Sequence, residues 1–180
     1  KILEGITTIN KGAFAGNEIE NLSLPSTLIT LAIDAFRLNK LPQDQAYLYK
    51  RNSDGSIDYS TIIGYGGTKA EGGKDIVIPS EKNGVKLLTI GSNAFYSVGL
   101  TSVVVPEGVT TIERNAFLSN SLTSVTIKNT SDKVSLGASA FGTFDVNNIK
   151  EVNDKLGREA GDEIIKKVAS VLINNQLENS

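Results

Sequence analysis

Two segments of this chain alternate apolar and polar residues to nearly the same design. The first runs Leu22-Ser-Leu24-Pro25-Ser-Thr-Leu28-Ile-Thr-Leu31-Ala-Ile-Asp-Ala35-Phe36, the second Val103-Val-Val105-Pro106-Glu-Gly-Val109-Thr-Thr-Ile112-Glu-Arg-Asn-Ala116-Phe117. The alternation predicts a strand. The proline then ends it, because it has no N–H to give to a ladder. A polar pair turns the chain, and Leu28 or Val109 re-enters the core. Eleven residues after the proline comes a phenylalanine, large enough to fill the space between stacked coils. Leu100-Thr-Ser-Val103 and Leu122-Thr-Ser-Val125 open the next strands, and Ile19-Glu-Asn-Leu22 is a variant of the same opening.

The phenylalanine is the repeat's clearest mark. Ala13-Phe14, Ala35-Phe36, Ala94-Phe95, Ala116-Phe117 and Ala140-Phe141 each follow a Leu or Ile by five residues: Ile9, Leu31, Ile90, Ile112 and Leu136. Successive Phe are 22, 59, 22 and 24 residues apart, so a unit of about 22 residues recurs and is interrupted once. A unit of this size buries its apolar face only against its neighbours, which predicts a solenoid with these residues inside. The residues left outside on the strands are Ser23, Ser102, Val104, Ser124, Thr126 and Lys128, small and mostly uncharged. They mark a face without naming a ligand.

Strand, Pro, two polar residues, Val-Thr-x-Ile-x-x-x-Ala-Phe and then Leu-Thr-x-Val resemble the BspA-type leucine-rich repeat over about residues 2–40 and 76–152. The resemblance implies a leucine-rich-repeat solenoid, with a strand and a short helix or turn per repeat. It also implies a bacterial cell-surface or secreted protein, binding a host or matrix protein or glycan in adhesion; the alternative is a structural spacer without its own ligand.

Between Phe36 and Phe95 the period fails. Asp54-Gly55 lies between alternating runs and predicts a β-hairpin over 47–65, an extension of two adjacent coils that keeps the sheet continuous. Gly64 to Gly73 form a Gly-rich connection, and Ile76-Val-Ile78-Pro79 restores the repeat. Tyr47, Tyr49, Tyr59 and Tyr65, four of the five tyrosines, fall here. They are candidate partner-binding residues, since Tyr offers amphipathic contact at low entropy cost. The same rings, with Tyr47, Tyr49 and Tyr59 on one face, would equally serve cross-strand packing. Gly64-Tyr-Gly-Gly67 lacks the Lys-Ser/Thr and helix of a phosphate loop. Asp54 and Asp58 lack the other ligands of a calcium loop.

The expected domains are a solenoid over 1–142 and a capping segment over 143–180. Within the latter, Ile164, Ile165, Val168, Ala169 and Leu172 share one face, predicting an amphipathic helix at about 162–173 that covers the last coil. Phe144 to Leu172 also resembles the opening of a diguanylate cyclase GGDEF domain. That resemblance would put Asp145 at a metal and Asn153 and Asp162 at guanine. Arg158 and Asn147 depart from its pattern, and its signature is absent, so no activity is expected from it here. The two resemblances disagree over 147–156: the repeat makes 149–152 a strand, whereas the other makes the stretch a helix capped by Asn147 or Asn148.

Composition narrows the chemistry. With no His and no Cys, the chain has no imidazole base, no thiol nucleophile and no ordinary zinc site, so no catalytic residues, cofactor or metal are expected. The net charge of −2 gives no basic field for nucleic acid, and no apolar run is long enough to insert in a membrane. With no Met in the sequence, Lys1 is not a translation start, and a removed signal peptide is one simple reason. The oligomeric state is left open.

Overall fold

A computed structural model describes residues 1–68, 74–129 and 134–142. The chain winds as a solenoid whose coils pair through short parallel strands. One row of strands consists of β1 (Thr8–Ile9) and β2 (Thr30–Leu31), which pair with each other. The hairpin strands β3 (Tyr47–Arg51) and β4 (Ile57–Tyr65) continue it, followed by β8 (Thr89–Ile90), β10 (Thr111–Ile112) and β12 (Ser135–Leu136). From β4 onward these strands form one sheet, with Thr61 opposite Thr89, Thr89 opposite Thr111, and Thr111 opposite Ser135. A second row consists of β5 (Lys74–Val77), β9 (Leu100–Val105) and β11 (Ser124–Ile127), also parallel. A small antiparallel pair, β6 (Glu81–Lys82) and β7 (Val85–Lys86), decorates the coil that begins at β5.

The phenylalanines lie between coils as expected, in a chain of turns rather than a helix. Phe36, Phe95 and Phe117 are fully buried. Phe14 stacks on Phe36 at 5.1 Å, Phe95 on Phe117 at 5.0 Å, and Phe117 on Phe141 at 5.1 Å, with ring planes within 9° of parallel. The backbone repeats with the rings: the N–H of Phe14, Phe95 and Phe117 donates to Ala35, Ala116 and Ala140 respectively. Two residues after Phe the chain takes a left-handed conformation, filled by Gly16 in the first coil and by Leu38, Ser97 and Ser119 in later ones.

Among the described residues the one α-helix is α1 (Gln43–Ala46), a single turn entered through Pro42. The hairpin forms where Asp54-Gly55 predicts it. Its loop is five residues long, with Asn52 N–H donating to Ser56 and Gly55 at φ +83°. The sheet is continuous on one side of the insertion only: β4 joins β8, but β3 makes no ladder with β2. The side chains divide accordingly into a large core and a smaller one. The smaller gathers Ile9, Leu28, Leu31, Ala35 and Phe36 with Leu48 and Ile63 of the hairpin. The expected helix over 162–173, the alternative over 147–156, and Asp145, Asn153 and Asp162 lie outside the described residues.

Candidate binding cleft at the interrupted coil

The four hairpin tyrosines have two different fates. Tyr65 is 2% exposed and Tyr47 7% exposed, so both rings are largely spent on packing, though Tyr47 also lines the cleft between the hairpin and the second coil. Tyr65 packs on Phe95 at 5.6 Å, and Tyr47 meets Tyr65 at 5.5 Å and Phe95 at 6.3 Å. Together they extend the stack of Phe95, Phe117 and Phe141 into the coil that has no Ala-Phe. Their hydroxyls are bound as buried hydroxyls must be. Tyr47 accepts from Gln43 Nε2 at 2.7 Å and donates to the Val77 carbonyl at 3.2 Å, while Tyr65 accepts from Lys74 Nζ at 2.6 Å. Burial, then the neighbouring Tyr65, pushes the Tyr47 phenol far above its ordinary range.

Tyr49 and Tyr59 form the second pair. Both are half-buried, with ring centroids 5.2 Å apart and planes at 65°. Tyr47 lines the same cleft as Tyr49 and Tyr59 but is more deeply buried, and β4 carries extra residues opposite β3, the pairing stepping from Leu48–Gly64 to Tyr49–Ile62 and then to Lys50–Asp58. Burial raises the Tyr49 phenol, and Tyr59 adds to the shift. The pair lines a cleft of about 320 Å³ between the hairpin and the second coil. Leu22, Leu24, Leu31 and Leu48 make its apolar wall; Asp44, Gln45 and Arg51 bring charge and amide groups. Gln45 is fixed there, its Oε1 accepting the Leu22 N–H at 2.8 Å, and Arg51 Nη1 donates to the Gly55 carbonyl at 3.0 Å.

A second groove, about 500 Å³ in volume, opens where β2 and β3 fail to pair, between Thr30, Leu31, Lys50 and Thr61. The row of β5, β9 and β11 carries Ser102, Val104, Ser124 and Thr126. Ser102 stands opposite Ser124 and Val104 opposite Thr126, and 63%-exposed Val77 lies beside Val104. Asp75 accepts from Ser102 Oγ at 2.7 Å and Thr101 Oγ1 at 3.0 Å, bonds that hold its carboxyl below the usual range.

Two asparagines organise the coils, and the repeat pattern alone did not single them out. Asn120 Oδ1 accepts from the N–H groups of Val98 and Leu100, while its Nδ2 donates to the carbonyls of Phe95 and Phe117. Asn39 accepts from Ile19 and donates to Phe14 and Phe36 in the same way. Both stand three residues after a repeat Phe, as does Asn17, and that offset was the available signal.

Comparison with curated proteins and with solved structures finds no match. The family model of the BspA type leucine rich repeat region matches six copies, over residues 1–45 and 74–158, and the stretch between them holds the hairpin. The second matched stretch runs through 149–152. With the coil geometry and the spaced phenylalanines, this coverage of well over half the sequence shows that the chain belongs to the BspA-type leucine-rich repeat family.

Proposed function

We propose that this chain is a non-catalytic binding module of a bacterial cell-surface or secreted protein, contacting a host or matrix protein or glycan through the cleft of Tyr49 and Tyr59. The observation that carries the reading is the position of this pair. It sits where the repeat breaks, half-exposed, beside Asp44, Gln45 and Arg51. Rigid aromatic rings beside charged and amide groups give contact area and orientation at low entropy cost. Elsewhere the repeat Phe rings stack coil on coil, and the remaining tyrosine, Tyr96, lies under the Arg37 guanidinium at 5.7 Å.

The test compares wild-type chain with a Tyr49→Ala/Tyr59→Ala double variant on glycan arrays and in pull-downs from matrix protein preparations. Specific binding weakened at least about tenfold, equivalent to about 1.4 kcal/mol, is the expected result. Binding that survives the double substitution, or a chain that binds nothing and serves only as a spacer, overturns the reading.

A further inference from the structure

Leu22–Leu24 and the β5 strand each run up to a proline at the same point of the repeat, but 22–24 joins no ladder, and the coil between them has α1 at that point. Ile2 donates to the carbonyl of Ser23, so Ser23 turns its backbone groups toward the first coil. Along an extended chain, successive residues present these groups to opposite sides. Those of Leu22 and Leu24 therefore face the cleft. Gln45 Oε1 takes the Leu22 N–H, standing where a neighbouring strand's carbonyl would be. Among the described residues nothing accepts the N–H of Leu24 and nothing donates to the carbonyl of Leu22.

The charged side chains lining the cleft, Asp44 and Arg51, lie at its two ends, while Lys82 Nζ donates to the Asp44 carbonyl and Glu4 holds Ser26 outside it. Asp44 adjoins Gln45 at the Leu22 end. Arg51 holds the Gly55 carbonyl at the other end, where the hairpin loop lies against the carbonyls of Ser26 and Leu28. Neighbouring coils pair in parallel throughout, so a strand filling the gap runs from the Asp44 end toward the Arg51 end.

We propose that the cleft binds an extended peptide segment of a protein partner as an added strand, with a basic residue near its N-terminal end facing Asp44 and an acidic residue near its C-terminal end facing Arg51. This deepens the reading of the Tyr49–Tyr59 cleft as a binding site and rests on it. Main-chain hydrogen bonds to the Leu22–Leu24 edge supply affinity. Alternate apolar side chains meet Ile57 and the half-buried Tyr49 and Tyr59, and the terminal charges set direction. A backbone edge of this kind selects polypeptide over sugar, because only an extended chain matches its donors and acceptors at strand spacing.

The experiment selects a phage-displayed library of random linear peptides on the wild-type chain and on the exposed-site variant Asp44→Lys, with a glycan array in parallel. Wild type is expected to enrich peptides with a basic residue before an alternating apolar core and an acidic residue after it. N-methylation of alternate amides in such a peptide should weaken binding by at least about tenfold, and Asp44→Lys should shift selection to an acidic N-terminal flank. Peptides that tolerate N-methylation at every amide, or an unchanged selection on Asp44→Lys, overturn the proposal. Glycan binding lost in Tyr49→Ala/Tyr59→Ala, with no peptide enriched, overturns it while leaving the cleft as the site. Silence on both arrays removes both readings.

Discussion

The ring of Tyr65 lies 5.6 Å from that of Phe95, tilted by 32°, in the place where neighbouring coils stack one phenylalanine on the next. A tyrosine here extends an otherwise apolar column while leading its hydroxyl to Lys74.

Tyr65→Ala should therefore act as a core deletion and cost about 3–5 kcal/mol, the range for removing a buried large aromatic. Tyr65→Phe keeps the column and loses only the bond to Lys74, about 1 kcal/mol. Urea titrations of the three proteins, compared at constant slope, check the ranking. Equal losses in the two variants would show that the hydroxyl, and not the ring, matters.

The asparagine bridges give a second expectation. Asn120→Ala removes both halves of one amide and leaves the N–H groups of Val98 and Leu100 and the carbonyls of Phe95 and Phe117 without their partner. Each unpaired group at such a site costs about 1–3 kcal/mol unless water replaces the bond. Asn120→Ala should destabilise by several kcal/mol in total. Asn120→Asp, which retains the acceptor and loses the donors, should fall between it and wild type in thermal melts.

Stability should decline at both ends of the pH scale. Bonds from Ser102 and then Thr101 lower Asp75; the hydroxyl and N–H of Ser56 lower Asp54; the N–H and hydroxyl of Ser26 lower Glu4. Burial pushes Asp58 up, but bonds from Ser60 and Thr61 and the charge of Lys50 carry it down on balance. A carboxyl lowered on folding stabilises fully above its unfolded value, about 4, and loses that contribution as pH falls through the folded value. Tyr47 is shifted the other way, so its contribution is complete below about pH 10 and fades as pH rises further. Melting temperature against pH should show a plateau with an acid and an alkaline limb. Ser60→Ala with Ser102→Ala should flatten the first and Tyr47→Phe the second. Unchanged limbs would rule out these groups as their cause.

The coils were legible because burial repeats. Each Ala-Phe marks a position that only a large ring can fill, and the family match covers the two stretches those marks delimit. Tyr65 escaped the pattern for a geometric reason. Thr61-Ile62 pairs in register with Thr89-Ile90, yet Tyr65 comes three residues after Ile62 whereas Phe95 comes five after Ile90. The interrupted coil reaches the aromatic column by a shorter path, so spacing alone cannot recognise the substitute. The hairpin was legible in Asp54-Gly55. What alternation could not show was the irregular pairing beside Tyr49, where β4 carries the extra residues and the Tyr59 ring ends 5.2 Å from that of Tyr49. Asp44, Gln45 and Arg51 carry no pattern of their own; the chain's return past Leu22 brings them to one place.

The missing ladder between β2 and β3 also bears on how the molecule comes apart. In a one-dimensional stack each coil is held by its neighbours, and cooperativity is only as strong as the weakest junction. Here the first two coils meet the rest through the packing of Leu48 and Ile63 with the smaller core, of Ile19 and Leu22 with the larger, and scattered single bonds, without the continuous ladder that joins β4 to β12. Amide exchange at Phe14 and Thr30 can then proceed by opening of an N-terminal subunit while Phe95 and Phe117 wait for global unfolding. The cleft lies on that boundary, so an occupant bridging both sides would merge two unfolding units into one.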